Sequence, residues 1–166
     1  MSEFVAELYA QYKDALERML YRRTGDRERA EELTQEVFSR AVAAPPRNPR
    51  PWLFAVALNL LREEGRKATR HGRRLELYRG EQPTTAPGPD DLFDRDERVA
   101  QIRQALETLT DRDREALLLQ AEGFNYDEIA QTLGLARGAI GTTLARARRR
   151  LVDAYRAREG TRHVAS

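Results

Sequence analysis

A stretch of ten residues limits the fold of this chain more than any other feature. From Gly80 to Pro89 it reads Gly-Glu-Gln-Pro-Thr-Thr-Ala-Pro-Gly-Pro, with no apolar period and three prolines. Proline lacks the amide donor and clashes with the preceding helical turn, so this run predicts an extended, flexible linker. A length of 166 residues leaves room for one medium domain or two small ones, and the linker selects two.

On both sides the apolar residues recur at three- and four-residue spacing, and no alternating strand pattern competes. Phe4, Leu8, Tyr12, Leu16, Met19 and Leu20 form one stripe, ended by Gly25. Asp26 caps a second helix carrying Ala30, Leu33, Val37, Phe38 and Ala41. Ala44 to Pro51 is too rich in proline for a helix interior, and Pro51 suits the first turn of a third helix. That helix is apolar nearly all round from Trp52 to Leu61 and then turns basic. After the linker, order resumes near Asp94, with Val99, Ile102, Leu106 and Leu109 on one face. Thr110 caps the next helix, which Gly123 closes. Asn125 and Glu128 have the spacing of a capping box for a short helix that ends at Gly134. A last helix places Ile140, Leu144, Ala147, Leu151 and Tyr155 on one stripe. The expected architecture is all-α: two small helical domains, 1–79 and 94–158, a linker over 80–93 and a tail over 159–166.

Composition removes several classes of function. There is no cysteine, hence no disulfide, thiolate zinc site or cysteine nucleophile. The two histidines, His71 and His163, have no metal-ligating neighbours. No nucleophile–base pair or glycine-rich phosphate loop is present, which argues against an enzyme and against a cofactor. The longest apolar stretch falls short of the ~20 residues that a membrane helix needs, and Met-Ser-Glu-Phe is not a secretion signal, so a cytoplasmic protein without membrane insertion is expected. Charge is segregated. Residues 62–79 carry seven cations against three acids and residues 137–158 seven against one, while 80–98 and 107–128 are net acidic. Two basic segments separated by acidic ones suggest two polyanion-facing surfaces.

A short capped helix, the Gly134 turn and a longer arginine-rich helix have the layout of a helix-turn-helix, whose second helix enters the major groove. With Ile140, Leu144, Ala147 and Leu151 turned to the core, a 100° step points Gly138, Thr142, Arg146 and Arg149 outward, with Arg137 near the amino end. The run Glu128-Ile129-Ala130 through Leu133-Gly134-Leu135, with Leu144-Ala145-Arg146-Ala147-Arg148-Arg149-Arg150-Leu151, resembles the carboxy-terminal domain of bacterial sigma factors of the extracytoplasmic-function (ECF) group, which reads the −35 promoter element. Glu31 to Phe38 resembles the acidic helix with which that family docks on the β′ clamp helices of core RNA polymerase. Pro51 to Asn59, followed by basic residues, resembles its −10-binding helix.

The resemblance implies a sigma factor that binds core RNA polymerase and directs initiation at promoter DNA. Polymerase binding falls to Glu31, Glu32, Gln35, Glu36 and Phe38. The −10 element falls to Trp52, Asn59, Arg62, Arg66, Lys67 and Arg70, and the −35 element to Arg137, Gly138, Thr142, Arg146 and Arg149. Asn59 either satisfies a buried backbone group or contacts a flipped base. Gly141-Thr142-Thr143 stands where many relatives carry cations, so −35 affinity leans on Arg137, Arg146 and Arg149. Members of the group are commonly held inactive by an anti-sigma factor that clamps both domains; no residue here specifies one. The competing reading is a free-standing helix-turn-helix regulator with a dimerising first domain. The acidic helix and the Trp52 helix speak against it, because dimerisation requires neither.

Overall fold

A computed structural model describes the backbone of residues 2–75 and 90–165 and the side chains of residues 2–67 and 97–160. Within these the chain forms helices only: α1 (Glu3–Thr24), α2 (Arg27–Ala43), α3 (Pro49–Leu75), α4 (Asp90–Glu107), α5 (Asp111–Ala121), α6 (Tyr126–Leu133) and α7 (Arg137–Ala165). The linker residues 80–89 lie outside the described residues. Residues 90–93, expected to be linker, open α4.

Local chemistry sets the helix ends. Gly25 takes φ +69°, a left-handed conformation that disfavours other residues, and its amide donates to the Tyr21 carbonyl at 2.7 Å. Asp26 accepts from the Arg29 amide, and Thr110 accepts from the Asp113 amide. Pro49 and Pro51 both stand in the first turn of α3, where their missing donors would have had no helical partner. The capping box forms: Asn125 Oδ1 accepts from the Glu128 amide at 2.8 Å, and Glu128 accepts from the Asn125 amide at 3.0 Å. Helix α7 runs through most of the expected tail, because Tyr155 and Arg158 hydrogen-bond Gln101 and Gln104 of α4.

Helices α1, α2 and α3 bury Leu16, Met19, Leu20, Val37, Leu53 and Phe54 among them. Helices α5, α6 and α7 bury Leu119, Ile129, Ile140 and Leu144. Two stripe residues depart from expectation. Phe4 is 44% exposed and Val5 takes the core position, because the buried edge of α1 passes through Val5 and Leu8. Ile102 is 40% exposed. Helix α4 packs on α1 and α7, which turns Ala105, Leu106 and Leu109 inward instead. The two halves also meet: Phe54 of α3 and Phe124, just before α6, stack edge to face with ring centroids 4.8 Å apart.

Candidate polymerase and nucleic-acid interfaces

The outer face of α2 follows from its period. Leu33, Thr34, Val37 and Phe38 face α1, which leaves Glu31, Glu32, Gln35 and Glu36 exposed together. Glu32 accepts from Arg29 at 2.6 Å and Glu36 from Arg40 at 3.2 Å, both pairs in solvent. Phe38 corrects the sequence expectation. It is buried, its ring edge-to-face on Tyr9 at 5.0 Å, so it supports the acidic face from beneath.

Helix α3 has two characters: neighbours wrap it as far as Leu61, and Arg62 to Lys67 beyond are mostly exposed. Leu53, Phe54, Ala57, Leu58, Leu60 and Leu61 are buried, whereas Asn59 is exposed in their midst. Asn59 is exposed and so satisfies no buried backbone group. Trp52 is half-buried against the core. Arg62, Arg66 and Lys67 follow on the exposed side at helical spacing from Asn59. Arg66 and Lys67 make no ion pair among the described residues. Arg70 lies on α3, and its side chain is outside the described residues. Arg62 is engaged: Nε and Nη2 donate to both carboxylate oxygens of Glu115 on α5, a carboxylate only 5% exposed. This pairing holds the Arg62 guanidinium above its ordinary pKa.

On α7, Ile140, Leu144 and Ala147 are buried, and Gly138, Thr142, Ala145 and Arg149 form an exposed strip. Arg137 starts the helix and pairs in solvent with Asp127 of α6. Arg149 is exposed with no ion-pair partner among the described residues. Arg146, expected to face the −35 element, is engaged within the chain. Its Nε and Nη2 donate to Asp113 at 3.1 and 2.7 Å, and Arg150 adds a third contact at 3.3 Å. Asp113 is fully buried, and the Arg146 hydrogen bonds hold its carboxyl below the usual range. The planar fork engaged on Asp113 ties α7 to α5.

Reading stripes from the sequence missed Asp113, Glu115 and Glu122. Their signal was an acid on each apolar stripe of α5: Asp113 three residues before Ala116, and Glu115 and Glu122 flanking Leu118. Phe124, a lone aromatic in a turn, carried no period at all.

Known families match both halves. Residues 8–71 match the Sigma-70 region 2 family and residues 100–151 the Sigma-70 region 4 family. The ECF RNA polymerase sigma factor SigE of Mycolicibacterium smegmatis is 33% identical over 157 residues, 89% of this chain and 60% of that protein. EcfG of Rhodopseudomonas palustris is 34% identical over 77% of this chain and 72% of its own length. In fold, the sigma factor RpoE of Bartonella quintana, solved with the anti-sigma factor NepR, gives a TM-score of 0.64 at 24% identity over 93% of this chain and 98% of its own. CnrH, solved with the cytosolic domain of CnrY, gives 0.67 at 24% identity, covering 92% and 88%. The protein is a sigma factor of the Sigma-70 class. More narrowly, it belongs to the ECF RNA polymerase sigma factor family.

Proposed function

We propose that this chain binds core RNA polymerase through the exposed acids of α2 and directs it to promoters through α3 and α7. Glu31, Glu32, Gln35 and Glu36 offer carboxylates and an amide to a basic partner face. Asn59 is the polar group for an unstacked −10 base, Trp52 the flat edge beside it, and Arg62, Arg66, Lys67 and Arg70 the phosphate contacts. Arg137, Gly138, Thr142 and Arg149 meet the −35 element, with Arg146 setting the pitch of the helix. Bond-making stays with the polymerase, and the site of action is the cytoplasm. Both solved relatives are bound to partner polypeptides, the anti-sigma factor NepR in one and the cytosolic domain of CnrY in the other, and this class of partner belongs to the proposal.

The single observation that carries the reading is Asn59: a polar side chain exposed among the buried residues Ala57 to Leu61, with Arg62 and Arg66 following on its own face. A free-standing operator binder has no use for that arrangement. The test is run-off transcription on genomic fragments with purified core polymerase. Defined start sites that depend on this chain support the proposal; core polymerase that neither retains the chain nor initiates with it refutes it.

A further inference from the structure

We propose that a cleft lined by α1, α3 and α5 binds a small phosphate-bearing ligand with a planar body, of the nucleoside diphosphate class. The binding stands apart from the function proposed above. Only its consequence for transcription rests on the reading of α3 as the −10-binding helix.

The cleft has a volume of about 970 Å³, within the ~300–1,000 Å³ of small-molecule sites. Leu58, Leu61 and Leu118 form its apolar side, and four arginines and two acids line the rest. The acids are already spent. Glu115 holds Arg62, and Asp111 accepts from Arg114 Nη1 at 3.0 Å. Arg114 also donates to the Leu106 and Leu109 carbonyls at 2.9 and 2.8 Å, closing the end of α4. Arg23 and Arg66 are left over. Arg66 has no ion pair among the described residues, and Arg23 reaches Glu107 only at 3.9 Å, beyond hydrogen-bonding distance.

Arg23 is the decisive residue. Its side chain is only 20% exposed, and burial together with the neighbouring Arg114 and Arg103 holds its guanidinium below the ordinary pKa. Arg103, one of those neighbours, has its Nε buried with no hydrogen-bond partner. Recessed positive charge of this kind is costly until an anion meets it. A phosphate offers the paired oxygens that a guanidinium fork accepts, and guanidinium faces and leucine side chains both pack on a flat base. The leftover cations run from recessed Arg23 to exposed Arg66, which suits more than one phosphate. A rigid duplex cannot follow Arg23 inward, which favours a small ligand over promoter DNA. The bound ligand and the −10 phosphates then draw on the same two cations, Arg62 and Arg66, and compete for them.

Titration of the full chain with adenosine and guanosine 5′-diphosphate, followed by calorimetry and by melting temperature, tests the site. Saturable binding is expected, with melting raised by about 3–6 °C at roughly ten times the dissociation constant. Arg23→Met keeps an apolar stem and removes the charge, and should weaken binding by at least about tenfold. Gly65 lines the cleft, and a Cβ there meets no atom within 4 Å, so Gly65→Leu should weaken binding by filling the space. Circular dichroism and the ligand-free melting temperature show whether each variant folds, and one folded variant suffices for the test. No binding at millimolar nucleotide, or binding unchanged in a folded variant, overturns the proposal. Equal affinity for inorganic pyrophosphate also overturns it, because the apolar side then has no role. So does binding confined to a 5′-phosphorylated oligonucleotide, which makes the cleft a strand-end site. Neither polymerase nor promoter enters these measurements, so their failure and the failure of run-off transcription are distinguishable.

Discussion

Arg62 and Glu115 stand 53 residues apart in the chain and share two hydrogen bonds, donated side by side by Nε and Nη2 to the two carboxylate oxygens. Two residues before Glu115, Asp113 takes the same grip from Arg146 on the opposite side of α5. A separation of two residues turns a helix by about 200°, so one short helix holds the first half with one carboxylate and the recognition helix with the other.

Arg146→Ala is expected to weaken binding on all duplex sequences alike, because it removes an anchor of α7 and no base contact. A panel of −35 variants measured by fluorescence anisotropy decides this. Preference lost at one position only would return Arg146 to base reading.

Asp113→Asn should cost about 2 kcal/mol, since hydrogen bonds to charged groups contribute more than neutral ones. For a chain of this size that is a fall of roughly 4–8 °C in melting temperature. Thermal unfolding followed by circular dichroism measures it, and a shift below 1 °C, on the order of the smallest effect resolved, would contradict the anchoring role.

Asp113 and Glu128 both titrate below their ordinary values of 3.8 and 4.5, Asp113 through the Arg146 hydrogen bonds and Glu128 through the Asn125 amide. A lowered folded-state pKa stabilises the fold above the unfolded value, and that stabilisation is lost as pH falls through the folded one. Denaturant midpoints should therefore be steady as pH falls from neutrality to about 5 and decline below 4.5. Asp113→Asn should flatten the lower part of that decline.

Reversal of Glu32 and Glu36 to lysine should abolish most of the affinity for core polymerase, with stability moving by less than about 1 kcal/mol because both side chains are exposed. Pull-down with core polymerase and a melting curve are the two measurements. Full retention of polymerase binding would remove α2 as the docking face.

Asn59→Ala should leave duplex binding unchanged and slow the opening of the −10 region, whereas Arg66→Ala should reduce the slope of log affinity against log salt by about one. Permanganate footprinting of the holoenzyme reads the first and salt titration the second. A loss of duplex affinity from Asn59→Ala would make it an ordinary backbone contact.

Helix type, the caps at Asp26, Thr110 and Asn125 and the turns at Gly25 and Gly134 were legible in the sequence because they are local: each needs only a few neighbouring residues. The exposed acids of α2 and the strip of α7 were legible for the same reason, as periodicity assigns faces. The pairing of faces lay beyond reach. Phe38 and Arg146 read as interface residues until Tyr9 covered the one and Asp113 took the other. Glu115 and Glu122 were only members of a net-acidic segment until α3 and α1 brought Arg62, Arg18 and Arg22 to them. Short-range steric and hydrogen-bonding rules are written into neighbouring residues, but a charge acquires its partner only when distant helices close on it. The sequence alone therefore determined where the helices lie and which residues they present, and the tertiary structure decided which of those cations are already occupied.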